Sequence, residues 1–119
     1  MKIVPHTRND RTVAEITSEE IYLQQIEDGI DLIGNVYYQG YDHVILHAGN
    51  ITPAFFDLRT KLAGEILQKF TNYRICVAIV GNWENITSDS LHDFIRESNA
   101  GRQVYFTDTI DNALEKLTR

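Results

Sequence analysis

The segment best suited to binding chemistry is the polar run DLRTK at residues 57–61, which lies just before an apolar helical repeat. The first N–H groups of a helix lack partners within the helix, and together with the helix dipole they attract anions. Arg59 and Lys61 would add charge-assisted hydrogen bonds to a bound phosphate or carboxylate. The alternative is that Arg59, Thr60 and Lys61 are solvated residues of an ordinary first helical turn.

Three aromatic residues, Phe55, Phe56 and Trp83, are candidates for an apolar rim beside this run. Two adjacent rings in a short turn cannot both point into the core. We therefore expect one phenylalanine to be buried and the other either to seal a neighbouring loop or to anchor a partner. Trp83 either caps the core or joins the rim. The full predicted binding set is Asn50, Thr52, Phe55, Phe56, Asp57, Arg59, Thr60, Lys61 and Trp83.

Metal binding and nucleophilic catalysis are not predicted. His43 and His47 share one face of a predicted strand, about 13 Å apart along it, which is too far for both to ligate one ion. Cys76 falls inside the apolar run RICVAIVG, where we expect a thiol to be buried and inert. The sequence contains no nucleophile elbow and no phosphate loop, so we expect no catalytic residue, no metal and no cofactor.

Composition narrows the class of partner. The chain has 119 residues with 17 acidic and 11 basic side chains, a net charge of -6. This balance argues against nucleic acids and anionic membranes as partners, although a local basic pocket remains compatible with it. The length fits one domain, residues 1–119. One cysteine, no apolar signal core and no membrane-length apolar run indicate a soluble cytoplasmic protein.

Strand and helix signals alternate along the chain. Asn9-Asp10 predicts a hairpin turn between two short strands, and Pro5 places the first strand at a sheet edge. Thr17 and Glu20 have capping-box spacing and predict a helix start. The apolar stripe of that helix is predicted to be Ile26, Ile30, Ile33, Val36 and Tyr37.

The remaining elements complete an α/β pattern. Thr52-Pro53 is a helix-start pair, and RICVAIV reads as a central strand buried on both faces. The element order β-β-α-β-α-β-α-β-α predicts a single-layer, mixed, mostly parallel sheet of about five strands with packed helices. Ligands of such sheets usually bind beyond the carboxyl ends of the strands. A core-facing helix follows residue 53, with Leu58, Leu62, Ile66 and Phe70 at four-residue intervals, beside Ala63 and Leu67.

Several blocks of the sequence resemble a known family. NVYYQGYD, ITPAFFDLRTKLAGEILQKFTNYRICVAIVG and DFIRESNAGRQVYF resemble the uncharacterised bacterial domain-of-unknown-function family 4180 over nearly the whole chain. The family name implies no activity. The element order is also similar to STAS domains, the anti-sigma-factor-antagonist type, which are small non-enzymatic modules that bind proteins and, in some members, nucleotides.

The STAS resemblance implies a phosphorylation site at Thr60. In signalling members, a partner kinase phosphorylates a Ser or Thr at the start of the helix after the third strand, between an Asp and a Gly-Leu pair. In DLRTKL, Asp57 and Leu62 match the acidic and apolar positions. Asp57 lies one residue farther away than in that pattern, and Lys61 replaces the glycine. A phosphate would add a charge of about −2 to a docking surface.

The leading hypothesis is a non-catalytic binding or regulatory module. Its predicted working surface is the edge formed by residues 50–61 with the Trp83 loop beside it. We expect it to bind a protein partner or a small anionic ligand there.

Two alternatives belong to other functional classes. One is a small enzyme whose pocket lies in the loops after the third to fifth strands, with an acid of perturbed pKa. The candidate acids are Asp57, Glu84 and Asp108. The other is a structural homodimer that uses amphipathic tyrosine rings at the end of the first helix. The candidate tyrosines are Tyr37, Tyr38 and Tyr41.

Overall fold

The fold is a five-stranded sheet with helices on both faces, described for residues 1–119 by a computed structural model. The strands lie in the order β1-β2-β3-β4-β5; β1 is antiparallel to β2, and the other pairs are parallel. This confirms the predicted mixed, mostly parallel α/β sheet. The elements are β1 Lys2–Arg8, β2 Arg11–Thr17, α1 Ile26–Tyr38, β3 His43–His47, α2 Pro53–Phe56, α3 Leu62–Asn72, β4 Cys76–Val80, α4 Asp89–Ala100, β5 Val104–Thr107 and α5 Ile110–Leu117.

Four helices cover one face of the sheet and α5 covers the other. From β2 to β5 the chain steps one strand at a time in one direction, so right-handed crossovers deliver α1, α3 and α4 to the same side. The core on that side is the larger, with 18 buried residues. The smaller core of seven residues joins one face of β2–β5 to α5. Its members are Val13, Ile45, Ala78, Tyr105, Ala113, Leu114 and Leu117.

The predicted helix start at Thr17 is wrong, because Thr17 is the last residue of β2. An extended segment follows, and α1 begins only at Ile26. The carboxylate of Asp28 accepts hydrogen bonds from the backbone N–H groups of Gln24 and Gln25, at 2.9 and 3.1 Å. Asp28 therefore satisfies the free donors at this helix start, as a capping acid does.

The buried stripe of α1 is also rotated from the predicted one. Ile30 and Tyr37 are 50% and 59% exposed. The cause is the close packing of α1 on α3 at Gly29, where an added Cβ would lie 3.1 Å from the Ile66 side chain. The helix turns its glycine to the core, and the buried residues are Gly29, Leu32, Ile33 and Val36.

The helix predicted after Thr52-Pro53 is divided. Pro53 opens a four-residue helix, but the Thr52 hydroxyl makes no capping hydrogen bond. A 3-10 turn at Leu58–Thr60 follows, and Lys61 has a positive φ of 65° before α3 begins at Leu62. In the predicted stripe Ile66 and Phe70 are fully buried, with Ala63 and Leu67, while Leu58 and Leu62 pack on the core from its margin.

Cys76 is not in the middle of a buried strand, as the sequence predicted. It is the first residue of β4 and is only half-buried. Its thiol is therefore partly accessible to solvent. No helix has the length and hydrophobicity that a membrane crossing requires.

Candidate functional site

Asn50 and Thr52 begin the predicted binding edge, which lies beyond the carboxyl ends of the parallel strands. Asn50 is buried, and its side-chain amide donates to the carbonyls of Ser18 and Glu20 at 2.8 and 2.9 Å. Those bonds tie the loop after β3 to the segment after β2. Asn50 therefore holds the edge together and has no free donor for a ligand.

The Asp57 carboxylate is occupied by Arg59. The Arg59 guanidinium donates to both carboxylate oxygens at 3.0 Å, and the Arg59 backbone N–H donates at 3.2 Å. These hydrogen bonds from Arg59 hold the pKa of Asp57 below its ordinary value. The guanidinium charge is therefore neutralised within the turn, which leaves Lys61 as the unpaired cation of the predicted cluster.

The Thr60 hydroxyl braces the same turn. The hydroxyl proton is shared between the carbonyls of Ala54 and Asp57, which lie 2.7 and 2.8 Å from the Thr60 oxygen. The same oxygen accepts a hydrogen bond from the Leu62 N–H at 3.2 Å. Thr60 is nevertheless on the exposed side of the turn. A phosphate on this oxygen would have to break the bonds in which it is the donor.

The predicted aromatic residues form a continuous row of rings. Phe55 is 1% exposed. Phe56 packs on Phe55 and on Trp83, with ring centroids 5.0 and 5.6 Å apart, and Trp83 packs on Phe106 at 5.1 Å. The Trp83 indole N–H donates to the Thr107 carbonyl at 2.8 Å. The row closes one end of the core, and the outer parts of Phe56 and Trp83 remain partly accessible.

The acids of the enzyme alternative do not converge on one point. Glu84 and Asp108 line an open depression of about 870 Å³ beside Trp83, whereas Asp57 is not part of its wall. Asp108 accepts a hydrogen bond from the Asn112 amide at 2.7 Å. Of the predicted tyrosines, Tyr37 contacts the Tyr73 ring at 5.7 Å and lines a surface hollow with Tyr41, whereas Tyr38 is 91% exposed.

A more enclosed cavity lies at the opposite edge of the sheet, beyond the amino ends of the parallel strands. Its volume is about 530 Å³, and we call it the basic cleft. Its wall carries Arg11 from the start of β2, Arg102 from the loop after α4, and Lys116 and Arg119 from the end of α5. Sequence reasoning missed it, because these cations are dispersed over more than 100 positions and only the fold brings them together.

None of the four cations of the basic cleft makes an ion pair with a carboxylate. Lys116 and Arg119 also line the open depression that contains Glu84 and Asp108. Asp42, whose charge acts on Cys76, is hydrogen-bonded to the His43 imidazole. Cys76 also lines the cleft, and its thiol donates to the Arg102 carbonyl. Burial and the charge of Asp42 raise the pKa of the Cys76 thiol, against the opposing charge of Arg11. The cleft therefore offers cationic donors and a thiol that stays protonated.

A second cluster missed by sequence reasoning lies on the sheet face. Glu15 of β2 is 7% exposed, and its two carboxylate oxygens each contact one imidazole Nε2, that of His6 at 2.8 Å and that of His47 at 2.7 Å. Burial alone would raise the pKa of Glu15, but the hydrogen bonds and charges of His6 and His47 outweigh burial and lower it. An ionised carboxylate only accepts, so each Nε2 is the donor. The sequence signal that could have indicated this cluster is the acidic residue Glu15 inside the otherwise apolar strand segment TVAEI.

Residues 8–117 match the family model described as "Domain of unknown function (DUF4180)". The chain belongs to this family. No curated protein and no solved structure matches it. The family description names no activity.

The DUF4180 match includes most of the basic cleft. Arg11, Cys76, Arg102 and Lys116 fall within the matched residues, whereas Arg119 lies beyond them. The predicted edge at residues 50–61 is matched as well. The Glu15 cluster is matched in part, since His6 precedes the matched region.

Proposed function

We propose that this DUF4180 domain is a non-catalytic binding module and that its ligand is a small, multiply charged anion held in the basic cleft. The observation that carries the proposal is the set of four unpaired cations around one cavity in a chain whose net charge is -6. Three of the eleven basic side chains, Arg8, Arg59 and Arg96, pair with carboxylates. Half of the remaining eight line this single cavity.

Like charges gathered at one cavity repel each other, and this repulsion opposes folding. An anion would remove the repulsion and would gain charge-assisted hydrogen bonds, each contributing roughly 1.5–3 kcal/mol. Guanidinium groups match carboxylate and phosphate geometry through paired donors, which suits Arg11 and Arg102. The lining thus favours a carboxylate or phosphate ligand over a neutral one.

Binding is favoured over catalysis by the chemistry of the wall. Guanidinium and ammonium groups donate and do not act as bases at neutral pH. The His43 imidazole also lines the wall, and its Nδ1 is hydrogen-bonded to Asp42. The Cys76 thiol has a raised pKa, so little of it is the nucleophilic thiolate. The cleft also suits an anion better than residues 57–61, because Asp57 neutralises Arg59 there.

Thermal unfolding with and without added anions tests the proposal. The probes are sulfate, pyrophosphate and isophthalate, and we expect at least one of them to raise Tm at constant ionic strength, because a ligand at 100 times its Kd stabilises by about 2.7 kcal/mol. Arg102→Gln and Lys116→Gln should reduce the shift. Lys69→Gln, which removes an unpaired cation outside the cleft, should preserve it. The proposal fails if no anion shifts Tm, or if all three variants respond alike.

A second candidate is a protein-docking edge at residues 50–61, in a STAS-like regulatory module of the bacterial cytoplasm. The observation that favours it is the internal bracing by Thr60 and by the Asp57–Arg59 pair, which pre-forms an exposed turn. Mass spectrometry of the protein purified from its native cells tests the regulatory part. A regulated edge predicts phosphate on Thr60 that changes with the co-purified partner. An unmodified Thr60, together with a Thr60→Glu variant that keeps every interaction, rejects it.

A third candidate, a homodimer, rests on the exposure of Tyr38 and of Tyr37 and Tyr73, whose rings are in contact. Light scattering at several protein concentrations tests it, with Tyr38→Ser as the variant. We expect a concentration-dependent mass that the variant lowers. A monomeric mass at every concentration rejects it.

A further inference from the structure

We infer that the ligand of the basic cleft is an organic anion with two separated acidic groups and an apolar body, and not an inorganic oxyanion. The inference rests on the proposed function and adds the class of ligand. It follows from the size of the cleft, from the apolar part of its wall and from the separation of its cations.

The size of the cleft fits an organic molecule. Its volume is about 530 Å³. Pockets for drug-sized ligands are typically about 300–1,000 Å³, whereas one water molecule takes about 30 Å³. A phosphate ion in this cleft would leave most of the space to water and would remain largely hydrated. An organic ligand fills the space and displaces that water.

The wall of the cleft contains both cationic and apolar side chains. Tyr105 and Leu117 belong to the smaller core, and both also line the cleft together with Cys76 and Ala100. These groups offer no charge to an oxyanion. They offer a small apolar contact, because Tyr105 and Leu117 are 8% and 2% exposed. A ring or hydrocarbon body placed there loses contact with water, at roughly 25 cal/mol for each Å² buried.

The cations Arg11 and Arg102 lie on different sides of these apolar residues. Arg11 begins β2, and Arg102 lies two residues before β5. Three strand spacings separate β2 from β5 in the sheet order, so the two backbone positions are about 14 Å apart. One small oxyanion at either side leaves the cations at the other side unneutralised. A ligand with two acidic groups joined by a body of intermediate length reaches both.

Cys76 supplies the readout, because it is the one cysteine of the chain and lines the cleft. The measurement is the rate at which N-ethylmaleimide, a neutral reagent, alkylates the thiol of the full chain. The probes are isophthalate and naphthalene-2,6-dicarboxylate, the neutral diamides of both, and pyrophosphate. The diamides keep the apolar body without charge, and pyrophosphate keeps the charge without an apolar body.

We expect at least one dicarboxylate to slow alkylation about tenfold at ten times its Kd, as site occupancy requires. The diamides and pyrophosphate should leave the rate within about twofold. Arg102→Gln should abolish the protection, and Lys69→Gln should retain it. The rate without ligand in each variant serves as its own reference, so a change in thiol reactivity is not mistaken for a loss of binding.

The contrary outcomes distinguish a wrong ligand class from a failure of anion binding itself. Protection by pyrophosphate equal to that by the dicarboxylates overturns the organic class and leaves anion binding intact. Protection by a diamide equal to that by its dicarboxylate shows that charge is irrelevant and overturns both. Absence of protection by every probe, together with an unchanged Tm, also overturns both.

Discussion

Replacing Glu15 by glutamine should destabilise the folded state by about 2 kcal/mol at pH 7. The carboxylate lies between two imidazoles, at 2.8 Å from His6 and 2.7 Å from His47. Glutamine keeps the shape and one acceptor oxygen but has an NH2 donor in place of the other oxygen, so one hydrogen bond is lost and the other loses the carboxylate charge. Hydrogen bonds to charged groups contribute roughly 1.5–3 kcal/mol. The lower part of that range applies, because the imidazoles are partly exposed.

The same variant should change how stability depends on pH. The folded-state pKa of Glu15 lies below its ordinary value of 4.5. A carboxyl with a lowered pKa contributes its full stability above the unfolded value and loses it as the pH falls through the folded value. The difference between the native chain and Glu15→Gln should therefore shrink on acidification below about pH 4.5.

Urea unfolding at pH 7, 5.5 and 3.5 measures this difference, with Glu84→Gln as the control for an exposed acid. A double-mutant cycle with His47→Gln isolates the pairwise term. An effect below about 0.5 kcal/mol at pH 7 would show that the buried carboxylate is not held by the imidazoles. A difference that persists unchanged at pH 3.5 would refute the linkage.

Other side chains make equally specific predictions. Asn99→Ala should lose about 1–3 kcal/mol in urea unfolding, because its amide pairs with both backbone groups of one residue at the free edge of β5. Gly81→Ala should lose about 1–3 kcal/mol and alter tryptophan fluorescence, since an added Cβ would lie 2.9 Å from the Trp83 ring. Gly34→Ala meets open space and should gain about 0.5–1 kcal/mol. Thr60→Val should lose about 1 kcal/mol by thermal unfolding, and Thr60→Ser should not.

The sequence predicted the features that depend on local periodicity. The alternation of elements, the hairpin at Asn9-Asp10 and the buried residues Ile66 and Phe70 follow from side-chain spacing within one element. The start of α1 was predicted wrongly because two signals competed. Thr17 and Glu20 match a capping box, but Thr17 completes the β2 ladder, and Asp28 supplies the capping carboxylate eleven residues later.

The sites escaped prediction for a different reason. The basic cleft and the Glu15 cluster join residues from strands and helices that are distant in sequence, and no spacing rule records which strand lies beside which. Glu15 meets His6 and His47 only because β1 and β3 flank β2 on either side. The general rule for ligand sites pointed to the carboxyl ends of the strands, whereas the cations gather at the amino ends.

Helix dipoles offer a competing explanation for part of the basic cleft. α4 ends at Ala100 and α5 ends at Leu117, so Arg102 and Lys116 lie near negative helix ends, where a cation gains about 0.3–1 kcal/mol. Helix dipoles do not explain the position of Arg11, because Arg11 begins a strand. Arg11 also lies directly opposite Arg8 in the hairpin, a like-charge pair that opposes folding. Arg11 is therefore the residue at which the two explanations diverge.

Arg11→Gln should leave the free protein as stable as before or more stable by up to about 0.5 kcal/mol, because it removes repulsion and no partner. In the presence of a dicarboxylate the same variant should lose most of the rise in Tm. Arg8→Gln is the matched control on the same hairpin: it breaks the 2.8 Å pair with Asp111 and should keep the ligand response. A clear loss of stability in ligand-free Arg11→Gln would mean that folding itself requires this cation. The absence of a carboxylate partner would then no longer indicate a ligand.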